Sequence, residues 1–91
     1  MTNNSQFKPS AETEPRRILL HSGEAETCKV RDFGVHYLRL VCIIGEGHVD
    51  ISDQAPEIPF CEGQIITSIP EEATVHAGKS DLVFTVQQLA C

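Results

Sequence analysis

The longest apolar run in the chain, Val35 to Ile44, stops abruptly at Gly45-Glu46-Gly47. A run of this length that ends at a glycine pair is too short to span a membrane, which takes about 20 apolar residues in a helix. It also lacks the i, i+3, i+4, i+7 stripe of an amphipathic helix. Valine, isoleucine and tyrosine favour the pleated backbone, so the run predicts a strand. Glycine tolerates positive φ, and Gly45 and Gly47 therefore predict a tight hairpin to the next strand, with Glu46 exposed at its tip.

Seven further short runs share this character. Ile18 to His21, Thr27 to Val30, His48 to Ile51, Ile58 to Phe60, Gln64 to Ile69, Thr74 to His76 and Asp81 to Gln87 are separated by segments rich in Gly, Pro, Ser and Asp. Many short strands at close intervals predict an all-β domain, a sandwich or small barrel of antiparallel strands. Pro59 and Pro70 fall near strand ends, where a missing N–H does little harm. Alternation places His36, Leu38, Leu40, Cys42 and Ile44 on one face of the long strand. Tyr37, Arg39, Val41 and Ile43 lie on the other, and Arg39 marks a face that opens to solvent or a partner. In the last strand Leu82, Phe84 and Val86 oppose Val83, Thr85 and Gln87.

A chain of 91 residues holds one domain. At this size only about 60–65% of the unfolded chain's surface is buried on folding, so the core is thin and a homodimer is expected. Residues 1–14 are mostly polar, with Phe7 their only aromatic side chain, and predict a flexible arm ahead of a β domain over residues 15–91. Thirteen Asp and Glu against seven Lys and Arg give a formal charge of −6, which argues against a nucleic-acid partner. The first residues have no basic or apolar stretch of a secretory signal, so a cytoplasmic setting is expected. Cys28, Cys42, Cys61 and Cys91 are far apart and form no CxxC pair. They read as buried hydrophobes or free thiols, with neither a disulfide nor a zinc-site spacing.

The segment Leu40-Val41-Cys42-Ile43-Ile44-Gly45-Glu46-Gly47-His48-Val49-Asp50-Ile51 resembles the strand–turn–strand core of the cupin superfamily. Ile58-Pro59-Phe60-Cys61-Glu62-Gly63-Gln64-Ile65-Ile66-Thr67-Ser68-Ile69-Pro70 is similar to the cupin segment in which a glycine opens a strand that finishes in Ile-Pro. His76 to Phe84 is similar to the closing strands of the same fold. The likeness extends over residues 16–89 and is nearest in character to the non-catalytic cupin lobe of mannose-6-phosphate isomerases. It implies a small cupin-like jelly roll, but not a function, because one fold hosts many activities.

The resemblance also implies where a metal would sit. Metal-dependent cupins carry His-x-His and a Glu on one strand and a later His, a donor set for iron, manganese, nickel or zinc. Counting back from the Gly-Glu-Gly turn, the Glu position falls at Leu38 and the His-x-His at Arg31 and Phe33. The later His falls at Val75 or His76. The inherited site is thus absent or reduced to His76. If His36 and His76 both point into the barrel, they could meet there with Glu62 or Asp50 and hold a divalent metal.

Three functions follow as expectations. The first is a non-catalytic domain binding a small polar ligand at a barrel mouth lined by His36, Tyr37 and His76, as barrel mouths often do. The second is a metal-dependent isomerase or oxygenase using His36 and His76. The third is a small accessory module that meets other proteins through an acidic surface. The sequence leaves open whether the chain is an enzyme and whether it carries a divalent metal or no cofactor.

Overall fold

The computed structural model describes residues 14–30, 36–51 and 56–90. Most of the expected N-terminal arm, together with Arg31, Phe33 and Cys91, lies outside these residues. All eight expected strands form: β1 (Arg16–Leu20), β2 (Ala25–Lys29), β3 (His36–Ile44), β4 (Glu46–Ile51), β5 (Ile58–Cys61), β6 (Ile65–Ile69), β7 (Glu72–Ala77) and β8 (Leu82–Ala90). Among the described residues there is no helix. β7 starts two residues earlier than Thr74, and β8 runs three residues past Gln87.

The strands form two four-stranded antiparallel sheets, β1-β8-β3-β6 (sheet A) and β2-β7-β4-β5 (sheet B). Only β4 and β5 are consecutive strands in the same sheet; every other connection carries the chain from one sheet to the other. This corrects the expected hairpin at Gly45-Glu46-Gly47, since β3 pairs with β6 and β8 whereas β4 pairs with β5 and β7. The turn is a corner between sheets, and Glu46 is exposed there as expected. The glycines serve the corner by allowing close approach. A Cβ on Gly45, whose φ is +97°, would lie 2.2 Å from the Asp81 carbonyl oxygen, and one on Gly47 would lie 2.0 Å from that of His76.

The inner faces supply the core. Leu38, Leu40 and Cys42 of β3, Val49 and Ile51 of β4, Ala73 and Val75 of β7, and Leu82, Phe84 and Val86 of β8 are all buried. Phe60 of sheet B and Phe84 of sheet A meet edge to face, with centroids 6.1 Å apart and planes at 72°, a preferred aromatic geometry. A one-residue slip of any strand would send its apolar set to the outside, so this alternation holds the register. Two irregularities interrupt it: β3 shifts against β8 between Cys42 and Ile44, and β3 shifts against β6 between Leu38 and Leu40. Ser68 lies in the second irregular region with φ +64°.

Cys28 and Cys42 are buried among these side chains and Cys61 is exposed. Burial pushes the Cys28 thiol from 9.0 up to about 11, with the Glu26 carboxylate adding to the rise and the Arg16 guanidinium opposing it. The Cys42 thiol is raised as well, first by burial and then by Cys61 and Glu62. Because the folded value lies above the unfolded one, the stability this neutral Cys28 thiol confers is intact below pH 9.0 and lost as pH rises toward about 11. In urea melts from pH 8 to 11, the loss on the alkaline side should be smaller in Cys28→Ala than in the native chain by about 2 kcal/mol. An unchanged alkaline limb in the variant would refute this assignment.

Candidate functional site

Connections through Gly45 and through residues 78–81 close one end of the two-sheet barrel, with Gly78 N–H donating to the Glu46 carbonyl at 2.9 Å. His36, Ala90, Ile69 and Glu72 belong to the other end, because His36 pairs with Ala90, Leu38 pairs with Ile69, and Pro70-Glu71 carries β6 into β7. At this far end the barrel interior turns polar. His36 is 7% exposed and Gln88 is 5% exposed, and they are the buried polar side chains of the described residues. Leu38 pairs with Gln88, so His36 and Gln88 are diagonal neighbours on one inner face, a separation of about 7–8 Å between Cα atoms.

The Nδ1 atom of His36 is buried and finds no hydrogen-bond partner among the described residues. Burying an imidazole nitrogen without a partner costs about 1–3 kcal/mol. Native interiors satisfy most such atoms, so this one marks a place where a partner is missing.

The other expected site residues do not join His36. Tyr37 is on the outer face of sheet A, since β3 alternates buried with half-buried positions beginning from buried His36. His76 is on the outer face of sheet B, because Ala73, Val75 and Ala77 are the buried residues of β7. It also lies toward the Gly45 end, opposite His48 and one pair from Gly47–Ala77. Glu62 is in the exposed turn after β5, where its N–H donates to Gly45 at 3.2 Å. That places it roughly 30 Å along β3 from His36 at the usual rise per residue. The expected meeting of His36 and His76 inside the barrel is therefore corrected: they occupy different sheets, opposite sides of the wall and different ends. Asp50 does contact His76, but outside.

That outer contact belongs to a cluster that sequence reasoning missed. His48 and His76 stack with centroids 4.6 Å apart and planes at 18°. His76 Nε2 is 3.1 Å from Asp50 Oδ2, and His48 Nε2 is 3.4 Å from Glu57 Oε2. Beside the cluster, an open groove of about 360 Å³ is lined by Glu46, Gly47, His48, Pro59, Cys61, Gly78 and Lys79. Only register brings His48 opposite His76, and nothing local in the sequence signals it. Among the described residues no group of three or more His, Cys, Asp or Glu side chains has the arrangement to hold a metal ion.

No protein-family model matches the chain, and no curated protein is similar to it in sequence. Solved structures do match. A predicted oxalate decarboxylase from Thermotoga maritima superposes with a TM-score of 0.71 at 16% identity, over 90% of this chain and 70% of that one. A cupin protein from Bacteroides fragilis gives 0.68 at 15% identity, over 82% of this chain and 63% of that one. The Cupin_2 domain of an XRE family transcriptional regulator from Enterobacter cloacae gives 0.64 at 16% identity, over 79% and 75%. The fold is that of the cupins. Similarity at these identities concerns fold, and the activities of those proteins remain their own.

Within the cupin frame, the metal positions can be tested against the side chains present. The position expected for the carboxylate is held by Leu38, 2% exposed and facing inward. The one-residue ambiguity in the later histidine resolves on Val75, which is fully buried and faces inward while His76 faces out. Aliphatic side chains offer no lone pair to a cation, so this donor set does not fit the metal of catalytic cupins.

Proposed function

We propose that this domain is a non-catalytic cupin that binds a small polar ligand at the barrel end marked by His36. The observation that carries the reading is the buried, unpartnered Nδ1 of His36. A ligand polar group at this end would supply the missing hydrogen bond, and Gln88 on the same inner face adds a second polar side chain. Apolar Leu38, Ile69 and Val86 around them would exclude water from that bond and so strengthen it. The misfit of the metal donor set, Leu38 and Val75, weighs against an isomerase or oxygenase.

Thermal denaturation in the presence of millimolar oxalate, malate, glycine, glucose and mannose tests the proposal. A compound present at 100 times its Kd stabilises by about 2.7 kcal/mol, which raises Tm by roughly 10 °C or more in a domain of this size. His36→Leu is expected to abolish that response. The same variant should leave the ligand-free domain as stable as the native chain or up to about 1–3 kcal/mol more so, because it removes the unpartnered nitrogen. A full thermal response in His36→Leu would overturn the site assignment.

A further inference from the structure

The barrel end marked by His36 has no buried Lys, Arg, Asp or Glu among the described residues, because His36 and Gln88 are the buried polar side chains there. Leu38, Leu40, Ile69 and Val86 complete the inner face around the pair. The charged groups nearest this end lie outside it. Glu14, Lys29 and Glu71 are exposed, and Glu72 is on the outer face of β7, whose inward positions are Ala73 and Val75. Arg16 follows Leu20 and Ile18 along the inner side of β1, but it is exposed and pairs with Val86. His36 pairs with Ala90, further along β8 than Val86 by about 13 Å. Glu26 is half-buried in the other sheet, where it pairs with Val75.

Resting on the ligand site proposed above, we infer that its occupant is an uncharged molecule that offers a hydroxyl or primary amide to His36. An ion taken from water into this interior gives up its hydration and meets no side chain of fixed opposite charge, which costs far more than burying a neutral polar group. Gln88 does not change this, since an amide hydrogen-bonds but carries no charge. The acidic chain adds to the bias against anions, because at a formal charge of −6 its field repels them on approach. A hydroxyl or primary amide also suits the nitrogen itself. Nδ1 of a neutral imidazole is a donor in one tautomer and an acceptor in the other. Both groups donate and accept, so either tautomer of His36 is satisfied, whereas a carboxylate only accepts and an ammonium only donates. The bond would end the isolation of Nδ1 where Leu38, Ile69 and Val86 keep water away.

Calorimetric titration of the full native chain with matched compounds tests the class, using glucose against glucose 6-phosphate and glucosamine, and malamide against malate. At least one neutral member should bind, and bind about 100-fold or more tightly than its charged counterparts, at pH 6 and at pH 8 alike. A charged member that binds as tightly as its neutral counterpart, with the response lost in His36→Leu, overturns the inference and leaves the ligand site standing. An anion that reaches the neutral member's affinity only at pH 6 overturns it as well, because a proton on His36 is then the balancing charge. If no member of either set binds, the ligand site fails and this inference with it. If a neutral member binds His36→Leu as tightly as the native chain, it sits elsewhere and both fall.

Discussion

Gly47→Ala is expected to destabilise the domain by about 3–5 kcal/mol, above the roughly 0.5–3 kcal/mol that most single substitutions cost. The new methyl group would lie 2.0 Å from the carbonyl oxygen of His76 and 3.2 Å from the Ala77 Cα. Both are backbone atoms of a central strand in sheet B, so no flexible side chain can move aside to relieve the overlap. Gly45→Ala meets the Asp81 carbonyl in the same way and adds the cost of a positive φ. Gly23→Ala separates the two effects, because Gly23 also has positive φ, +83°, but nothing within 4 Å of its added methyl. It should cost only about 1–2 kcal/mol. With total stability of about 5–14 kcal/mol expected for a chain this long, the first two variants should show a large loss in urea titrations and the third a small one. Equal losses at Gly23 and Gly45, which share a positive φ, would mean that turn conformation, and not close packing of the corner, is what the glycine provides.

Phe84→Ala ranks with it. Phe84 is fully buried at the centre of sheet A and meets Phe60, also fully buried, from the opposing sheet. Truncating a buried phenylalanine costs about 3–5 kcal/mol, the sum of lost transfer energy and the cavity left behind. Phe60→Ala should cost a similar amount. The double variant should fall short of the sum by about 0.5–1.5 kcal/mol, the coupling of an edge-to-face pair. Strictly additive losses would show that the rings fill space independently and that the inter-sheet contact has no special role.

These expectations follow from what in the sequence was legible and what was not. Alternation of apolar and polar side chains made the strands and their inward faces readable, because a period of two follows from the pleat itself. Turn chemistry was less informative. Gly45 and Gly47 announce a tight reversal, but whether the strands on either side pair with each other or with other strands is decided by long-range contacts, and here they belong to different sheets. The placement of His76 was within reach. Ala73, Val75 and Ala77 alternate with Glu72, Thr74 and His76, and that pattern puts the histidine on the polar side once β7 is recognised from Glu72 onward. Starting the strand at Thr74 hides it. Tyr37 was separable from His36 on the same argument, since adjacent residues of a strand cannot share a face. The stacked His48–His76 pair was out of reach, because its partners come together only through the β4–β7 register. So was the unpartnered nitrogen of His36, which depends on what surrounds it in three dimensions and not on its own strand.

The same physics explains why the cupin likeness predicted the fold and failed to supply a metal site. Burial asks only that a position be apolar or satisfied, and Leu38 and Val75 meet that demand while offering nothing to a cation. His36, two residues before Leu38 on the same inner face, keeps a polar atom in the interior without a partner. The binding reading rests on that atom.

The most direct test is to compare the native chain and His36→Leu side by side against the same small acids and sugars, measuring ligand-induced stabilisation. At least one compound should stabilise the native protein and leave His36→Leu unchanged. If none stabilises the native protein, or if the variant responds equally, His36 does not mark a ligand site.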